Sequence, residues 1–485
     1  MRKAVLTIIF LVMLTATAHA AFNVTVTATK IDITSGTGTW DDLVTAVNDA
    51  GVFGSAGQVF TVGGNREIEL SSGVVLTSTD GDTINWNITA NVSPCLDIGS
   101  GSTYNIAPNT THDLDTNRSN QGRIFFFGTI HCNGTAGNEI IFQNMSHVYW
   151  YMYDTTPWDW DYVTFQDMIL NTHYIIYTFQ GGNSSCKGPS VAHTFNNVTW
   201  KGSGATAGFG SMLLYYTDMS KWTFEDCTFD GINRVLLYYG TSAKFTNCTF
   251  TDMAGEVVVG GGSSAEPTFS HYDTSKDNVT FSGKLNQYMT VFDTCTFDNV
   301  DAGVYGVSCL TGVLLLKDCT FDNQTYPIWV NGGLALLYGT TTYPVAPTAN
   351  IRYSGQGTVL HTRKLDITVY QPDGTTPLEN ACVSIRQKDA TRELWAFHTD
   401  ANGEVKCCGY QESIYLVEKE ETSVGNFTQW SDGTGNLVHI ITVSHPDYVV
   451  STQEVAMTED RSLTVTMSYT HTTLHDVVLY DTVIY

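Results

Sequence analysis

The sequence predicts an all-β chain, a solenoid of short stacked strands preceded by one small helix and followed by a second all-β unit. Three observations carry this. One phrase recurs with constant parity: Phe224-Glu-Asp-Cys227-Thr-Phe229, Phe245-Thr-Asn-Cys248-Thr-Phe250, Phe292-Asp-Thr-Cys295-Thr-Phe297 and Leu316-Lys-Asp-Cys319-Thr-Phe321, with a softer copy at Phe195-Asn-Asn-Val198-Thr-Trp200. Its copies return after 21, 47 and 24 residues, cysteine to cysteine, a period that belongs to repeat architectures. Only 15% of residues are charged while Gly, Thr, Asn and Tyr abound, the balance of long sheets with turn-rich connections.

Within each copy the cysteine and the second aromatic residue sit two apart, as same-face residues of a strand do, with Thr between them facing the other way. The first Phe lies three before the cysteine, which breaks the period and places a bend at the intervening Asp or Asn, residues that tolerate a left-handed turn with least strain. Each copy therefore reads as strand, bend, strand. Equivalent positions stack on the turn above, so Cys227, Cys248, Cys295 and Cys319 form one interior ladder and Phe229, Phe250, Phe297 and Phe321 another. The 47-residue interval reads as two turns of a coil about 23 residues long.

The phrase Phe-x-(Asp/Asn)-Cys-Thr-Phe resembles the coil of a right-handed parallel β-helix, the pectate-lyase-like architecture, whose bend asparagines and interior residues form ladders. The resemblance implies the fold. It leaves function open, since such helices host lyases, hydrolases, adhesins and viral tail proteins alike.

The ends and the charge bound the setting. Met1-Arg-Lys, the apolar run Ala4 to Leu14 and Ala18-His19-Ala20 have the parts of a secretory signal over residues 1–20, which predicts a secreted or cell-surface protein. No second apolar run of spanning length follows. Lys+Arg 23 against Asp+Glu 48 gives a net charge of −25, which repels nucleic-acid phosphates and anionic head groups. Eleven cysteines is an odd number for a disulfide framework. The ladder accounts for four as small buried apolar residues, while Cys407 or Cys408 is a partner for Cys382, a pairing the sequence leaves open.

Residues 21–54 read as an N-terminal strand and a capping helix, Thr39-Trp-Asp-Asp42 opening with a capping-box pattern. The coil is expected over 55–362, about 13 turns and roughly 60 Å long at the spacing of stacked strands. At Lys364 the composition changes. Asp373-Gly374-x-x-Pro377-Leu378-x-x-Ala381, Thr399-Asp400-x-x-Gly403 and Pro446-x-Tyr448 resemble a carboxypeptidase-regulatory-like, transthyretin-like β-sandwich over 363–470. Residues 471–485 form a C-terminal strand, apolar on both faces, which must be buried in a sheet. Burial within its own chain is the favoured reading; addition to a neighbour's sheet edge, giving an oligomer, is the alternative.

Candidate chemistry is sparse. Asp159 and Asp161 beside Trp158, Trp160 and Tyr151 resemble a carbohydrate-stacking surface with acid groups nearby, and are the weak catalytic candidates. Asp113, Asp115 and Asn117 open like a calcium loop, but Arg118 and Ile124 stand where Gly and Glu belong, so no metal is assigned. No acidic constellation repeats on one face, and no cofactor motif is present. Of the Asn-x-Ser/Thr acceptors, the loop positions Asn109, Asn117, Asn183 and Asn426 are the glycosylation candidates; Asn197 and Asn247 belong to the bend phrase and are expected to point inward. The reading is a non-enzymatic structural or adhesive protein presenting a β-helix rod to glycans or surface proteins. A polysaccharide lyase or glycoside hydrolase is the first alternative, a viral tail or appendage protein the second.

Overall fold

The computed structural model describes residues 21–48, 53, 57–62, 66–86, 96–113, 124–126, 128–144, 148–152, 159–168, 173–178, 193–202, 211–215, 222–238, 243–259, 289–303, 305–310, 313–331, 333–339, 351–354, 358–388, 395–406, 413–423, 426–428 and 438–470. The expected signal segment, the C-terminal strand, Asn117, Trp158, Asn183, Cys407 and Cys408 lie outside them.

The chain winds as a three-faced coil of parallel strands. Faces A and B each begin with the bent strand Lys30–Thr39, whose first half pairs with Glu67–Leu70 and whose second half pairs with Val75–Thr77. Among the described residues faces A and B each carry twelve rungs, that strand included, ending at Ile351–Ser354 on face A and Thr358–Tyr370 on face B, while face C has ten strands from Val59–Val62 to Thr320–Asp322. Twelve rungs at about 4.8 Å make a rod roughly 53 Å long. The stack thus starts at Lys30, well before residue 55, and has fewer turns than the period alone suggests.

The 47-residue interval explains the difference. Phe245 pairs directly with Phe292 and Phe250 with Phe297, so the interval is one coil carrying a long excursion between the strands Val257–Val259 and Met289–Asp293. A period is blind to insertions that leave the rung intact.

The phrase builds each corner as expected and reveals a second bend. Asn197, Asp226, Asn247, Thr294 and Asp318 all have left-handed φ between 49° and 57°. The N–H of each donates to a carbonyl of the next coil, as Asp226 does to Thr246 and Asn247 to Asp293. In the third copy the bend falls on Thr294, not on Asp293, despite the strain a β-branched residue meets there. Two residues after the second aromatic comes another left-handed column, Gly231, Asp252, Asn299 and Asn323, linked between coils by Asn299 Nδ2 to Asp252 Oδ1 (2.8 Å) and Asn323 Nδ2 to Asp298 Oδ1 (2.7 Å). Asn197 is half-buried, its Nδ2 donating to Asp161 Oδ1 (3.0 Å), and Asn247 is exposed; neither points inward.

The interior is laddered. Phe195, Phe224, Phe245 and Phe292 stack at 4.7–5.0 Å, and Trp200, Phe229, Phe250, Phe297 and Phe321 at 4.6–4.8 Å, the two columns meeting edge to face. Cys227, Cys248, Cys295 and Cys319 are buried as free thiols, each Sγ donating to the carbonyl of a first-column Phe, at 3.2–3.5 Å. Burial pushes the Cys227 and Cys295 thiols well above the ordinary range.

The start of the rod and the last rung of face B are covered. At the start, Phe22–Val26 pairs antiparallel with Lys30–Thr39 and buries Phe22. The helix Trp40–Val47 follows with its capping box formed between Thr39 and Asp42, and it inserts Trp40 and Leu43 into the core. Trp40 Nε1 donates to Tyr104 Oη (3.0 Å), which lies 2.9 Å from His112 Nε2, while Trp86 Nε1 donates to His112 Nδ1 (3.4 Å).

At the other end, one strand crosses from coil to sandwich. Thr358–Tyr370 is the last rung of face B, pairs antiparallel with Ile414–Ser423 along that rung, and then pairs in parallel with Arg461–Thr466. The polar segment after Val417 is therefore partly the strand that closes the coil's edge. A five-stranded antiparallel sheet containing Cys382–Gln387, Trp395–His398, Val438–His445, Tyr448–Ala456 and Ser468–Tyr469 forms the second layer. Its core is continuous with the outer side of face B: Val291, Val313, Leu315, Leu334, Leu336 and Leu360 share one cluster with Ile367, Val383, Ile385, Ile441 and Val443. Parallel strands buried on both sides are apolar at every position, which is why Val313-Leu-Leu-Leu316 does not alternate.

Candidate functional site

Among the described residues, those singled out in the sequence are not brought together into a site. Trp160 is fully buried, stacks on Phe165 (6.1 Å) and meets Phe195 edge to face (5.6 Å), so it is not available to stack on a sugar. The reason is a further copy of the phrase: Trp160-Asp-Tyr-Val163-Thr-Phe165 occupies the same rung positions, with Trp160 paired to Phe195 and Tyr162 at the left-handed bend (φ 49°). Asp161 is the bend's acceptor for Asn197 rather than an acid aimed at a substrate. Asp159 and Tyr151 lie on the rungs Asp159–Asp161 and Val148–Met152, and Trp158 is outside the described residues. Asp113 accepts from Gln143 Nε2 (3.0 Å) and Asn144 Nδ2 (2.8 Å) of the next coil, a ladder contact rather than a calcium loop. Asn109 is exposed on a left-handed turn; Asn426 lies in the short strand Asn426–Thr428.

Folding instead collects acids that the sequence keeps apart. On the outer side of face A, Asp32, Glu69 and Asp97 fall in one register column, and Lys30 pairs with Glu67 beside it. Strand parity places them there, because the alternate residues Ile31, Ile33, Ile68, Leu70, Leu96 and Ile98 fill the core. Glu67, Glu69 and Asp97 bring a carboxylate oxygen each within 4.8 Å of one another. Lys30 Nζ forms an ion pair with Glu69 Oε2, and Ser71 Oγ donates to Asp32 Oδ1 (3.2 Å). The sequence missed this group because its members are 28 to 65 residues apart across coils, and only the rung register unites them.

The electrostatics follow from partial burial and like charge. Burial, then the neighbouring Glu67 carboxylate, pushes Asp97 up to about 6, against the pull of Lys30. Burial likewise raises Glu67. Asp97 Oδ1 is shielded from solvent and accepts no hydrogen bond among the described residues. The arrangement sets a carboxyl raised to about 6 beside a lysine-paired carboxyl group, a pairing of the kind a general acid and its partner use. Three hard oxygen donors are also suited to a divalent cation.

A second regular surface lies on face C. Thr83, Thr111, Thr164, Thr199, Thr228, Thr249, Thr296 and Thr320 occupy one outward column, broken only by Ile141, with Val59 at its start. These β-branched residues fit a pleated surface and offer a line of hydroxyls.

Residues 212–343 match the family model described as right handed beta helix region. The coil is a right-handed parallel β-helix. The match begins on the face A rung Ser211–Tyr215 and ends just beyond Leu334–Tyr338, so it covers the rungs where the phrase is most regular. No curated protein and no solved structure matches the chain. The β-helix is thus established as a fold, and its chemistry rests on the surfaces described above.

Proposed function

We propose that the protein is an exported, non-enzymatic rod that presents the outer faces of its β-helix for adhesion or assembly, with extracellular glycans or surface proteins as partners. The observation that carries this reading is that the start of the coil is covered by a strand and a helix, and that the last rung of face B, edged by Ile414–Ser423, continues without interruption into the sandwich on a shared core. Such a body suits holding surfaces at fixed distances. The sandwich, by its carboxypeptidase-regulatory-like resemblance, is read as a spacer or binding module, and the apolar leader over 1–20 supports export.

The acids on face A support a second reading, a polysaccharide-cleaving enzyme, since Asp97, raised by burial, lies in one register column with the lysine-paired Glu69. A glycan array combined with a cleavage screen on acidic and neutral polysaccharides separates the two. Binding without cleavage is expected. Cleavage that disappears in Asp97→Asn and Glu69→Gln, both still folded, would overturn the rod reading in favour of the enzyme.

A further inference from the structure

Among the described residues the 450–456 stretch of the strand Tyr448–Ala456 has an unpaired edge, and the geometry points to a second copy of the chain as its occupant. Tyr448–Ala456 pairs along its whole length with Val438–His445 on one side. On the other side only Tyr448 and Val449 are paired among the described residues, with Tyr469 and Ser468. Val449, Val450 and Tyr469 are 47%, 56% and 63% exposed, the large apolar side chains that stand out most on this sheet. An open edge beside exposed apolar side chains is a template for an added strand.

The direction in which the chain leaves decides between the two sources of that strand. Ser468–Tyr469 runs antiparallel to Tyr448–Ala456, and the N–H and Oγ1 of Thr470 both donate to the Asp447 carbonyl (3.5 and 3.1 Å). The chain therefore departs past Asp447, away from residues 450–456. To return in cis it would have to reverse within His471-Thr-Thr473 and pass around Tyr469, whose ring sits 5.7 Å from that of Tyr448 at this corner. Leu474 to Tyr485 supplies twelve residues with Val477 and Leu479 on one strand face and Val478 and Tyr480 on the other. We propose that this segment of one copy adds to the 450–456 edge of another, reciprocally, making a two-fold dimer in which each sandwich sheet gains one strand. The exchange is reciprocal because each copy carries both a departing tail and an edge left unpaired among the described residues.

The test is sizing by light scattering on the full mature chain across the micromolar range. A dimer is expected, with truncation after Thr470 giving a monomer of unchanged far-UV circular dichroism, to which a synthetic 474–485 peptide binds at one per chain. Val450→Lys in the full chain places a charge on the exposed edge and is expected to yield monomers that bind no peptide. A monomeric full chain, or a dimer that persists after truncation, overturns the proposal. Should truncation unfold the sandwich, the Val450→Lys chain decides, and a dimer retained there is equally contrary.

Discussion

Phe245 and Phe292 stack face to face with ring centroids 4.8 Å apart, although 46 residues lie between them in the chain. The contact is the same as that of Phe224 with Phe245, where the intervening stretch is less than half as long (4.7 Å). What the coil requires is therefore the rung, and the connection is free to grow. Aromatic stacking and burial hold the register from one turn to the next.

The first prediction concerns these columns. Phe250→Ala empties a fully buried position between the stacked rings of Phe229 and Phe297, and Phe292→Ala one between the ring of Phe245 and its rung partner Leu316; each is expected to cost about 3–5 kcal/mol in chemical denaturation, as large-to-small core changes do. A loss below about 1 kcal/mol would show that the columns contribute little.

The bend at Thr294 is strained by its own side chain. Its neighbours in the column are Asn247 and Asp318, residues that accept φ near +50° more readily. Thr294→Asn is therefore expected to stabilise the protein by about 1 kcal/mol, and Asn247→Thr to destabilise it by a similar amount. Equal melting temperatures for both variants and the parent would contradict this reading of the corner.

The cysteine ladder predicts chemistry. With Cys227, Cys248, Cys295 and Cys319 buried and their thiols directed at backbone carbonyls, none should react with an aqueous thiol reagent until the coil unfolds. Mass mapping after brief labelling of the native protein checks each position, and rapid modification of all four would remove the ladder.

Two groups near the start of the rod give opposite pH dependence. Burial lowers His112 from 6.5 to about 3, so below the ordinary value the unfolded chain takes a proton that the folded one refuses. Its contribution is complete above about 6.5 and lost as pH falls toward 3, by about 1.4 kcal/mol per pH unit. Asp97 has the opposite sign: raised from 3.8 to about 6, it favours the folded state below 3.8 and gives up that contribution as pH rises through the window to 6. The protection factors of amides in the helix Trp40–Val47, which His112 reaches through Tyr104, should fall in acid; His112→Phe should flatten that dependence. Asp97→Asn should raise stability at pH 7 without altering the acid limb. Protection factors that do not change with acid in the parent would contradict the network.

How much of this was legible in the sequence depends on scale. The phrase, its parity and its first bend are local properties, fixed by three to six neighbouring residues, and they sufficed for the strands, the interior ladders and the capping box at Thr39. The second bend column, Gly231 to Asn323, mixes Gly, Asp and Asn and carries no fixed residue, so it escaped. Trp160-Asp-Tyr-Val163-Thr-Phe165 kept the parity while changing three identities; matching by residue class rather than by Phe and Cys would have placed Trp160 in the core. The acids of face A could not be seen at all, since Glu69 and Asp97 become neighbours only once the length of a coil is known. The second buried side of the apolar run at Val313 reflects partners more than 50 residues downstream, which no local pattern carries.

The most direct measurement of the stacked coil is a disulfide between outward threonines of adjacent rungs. Thr249 and Thr296 are direct partners across face C, whereas Thr228 lies one rung further away. Thr249→Cys with Thr296→Cys should cross-link under mild oxidation, because neighbouring parallel strands about 4.8 Å apart fall within the reach of a disulfide, while Thr228→Cys with Thr296→Cys, about twice as far, should not. Peptide mapping that finds the first bond and not the second is the predicted result. Absence of the 249–296 bond, with both thiols labelled freely in the folded protein, would place another turn of chain between them and contradict the register on which the whole account stands.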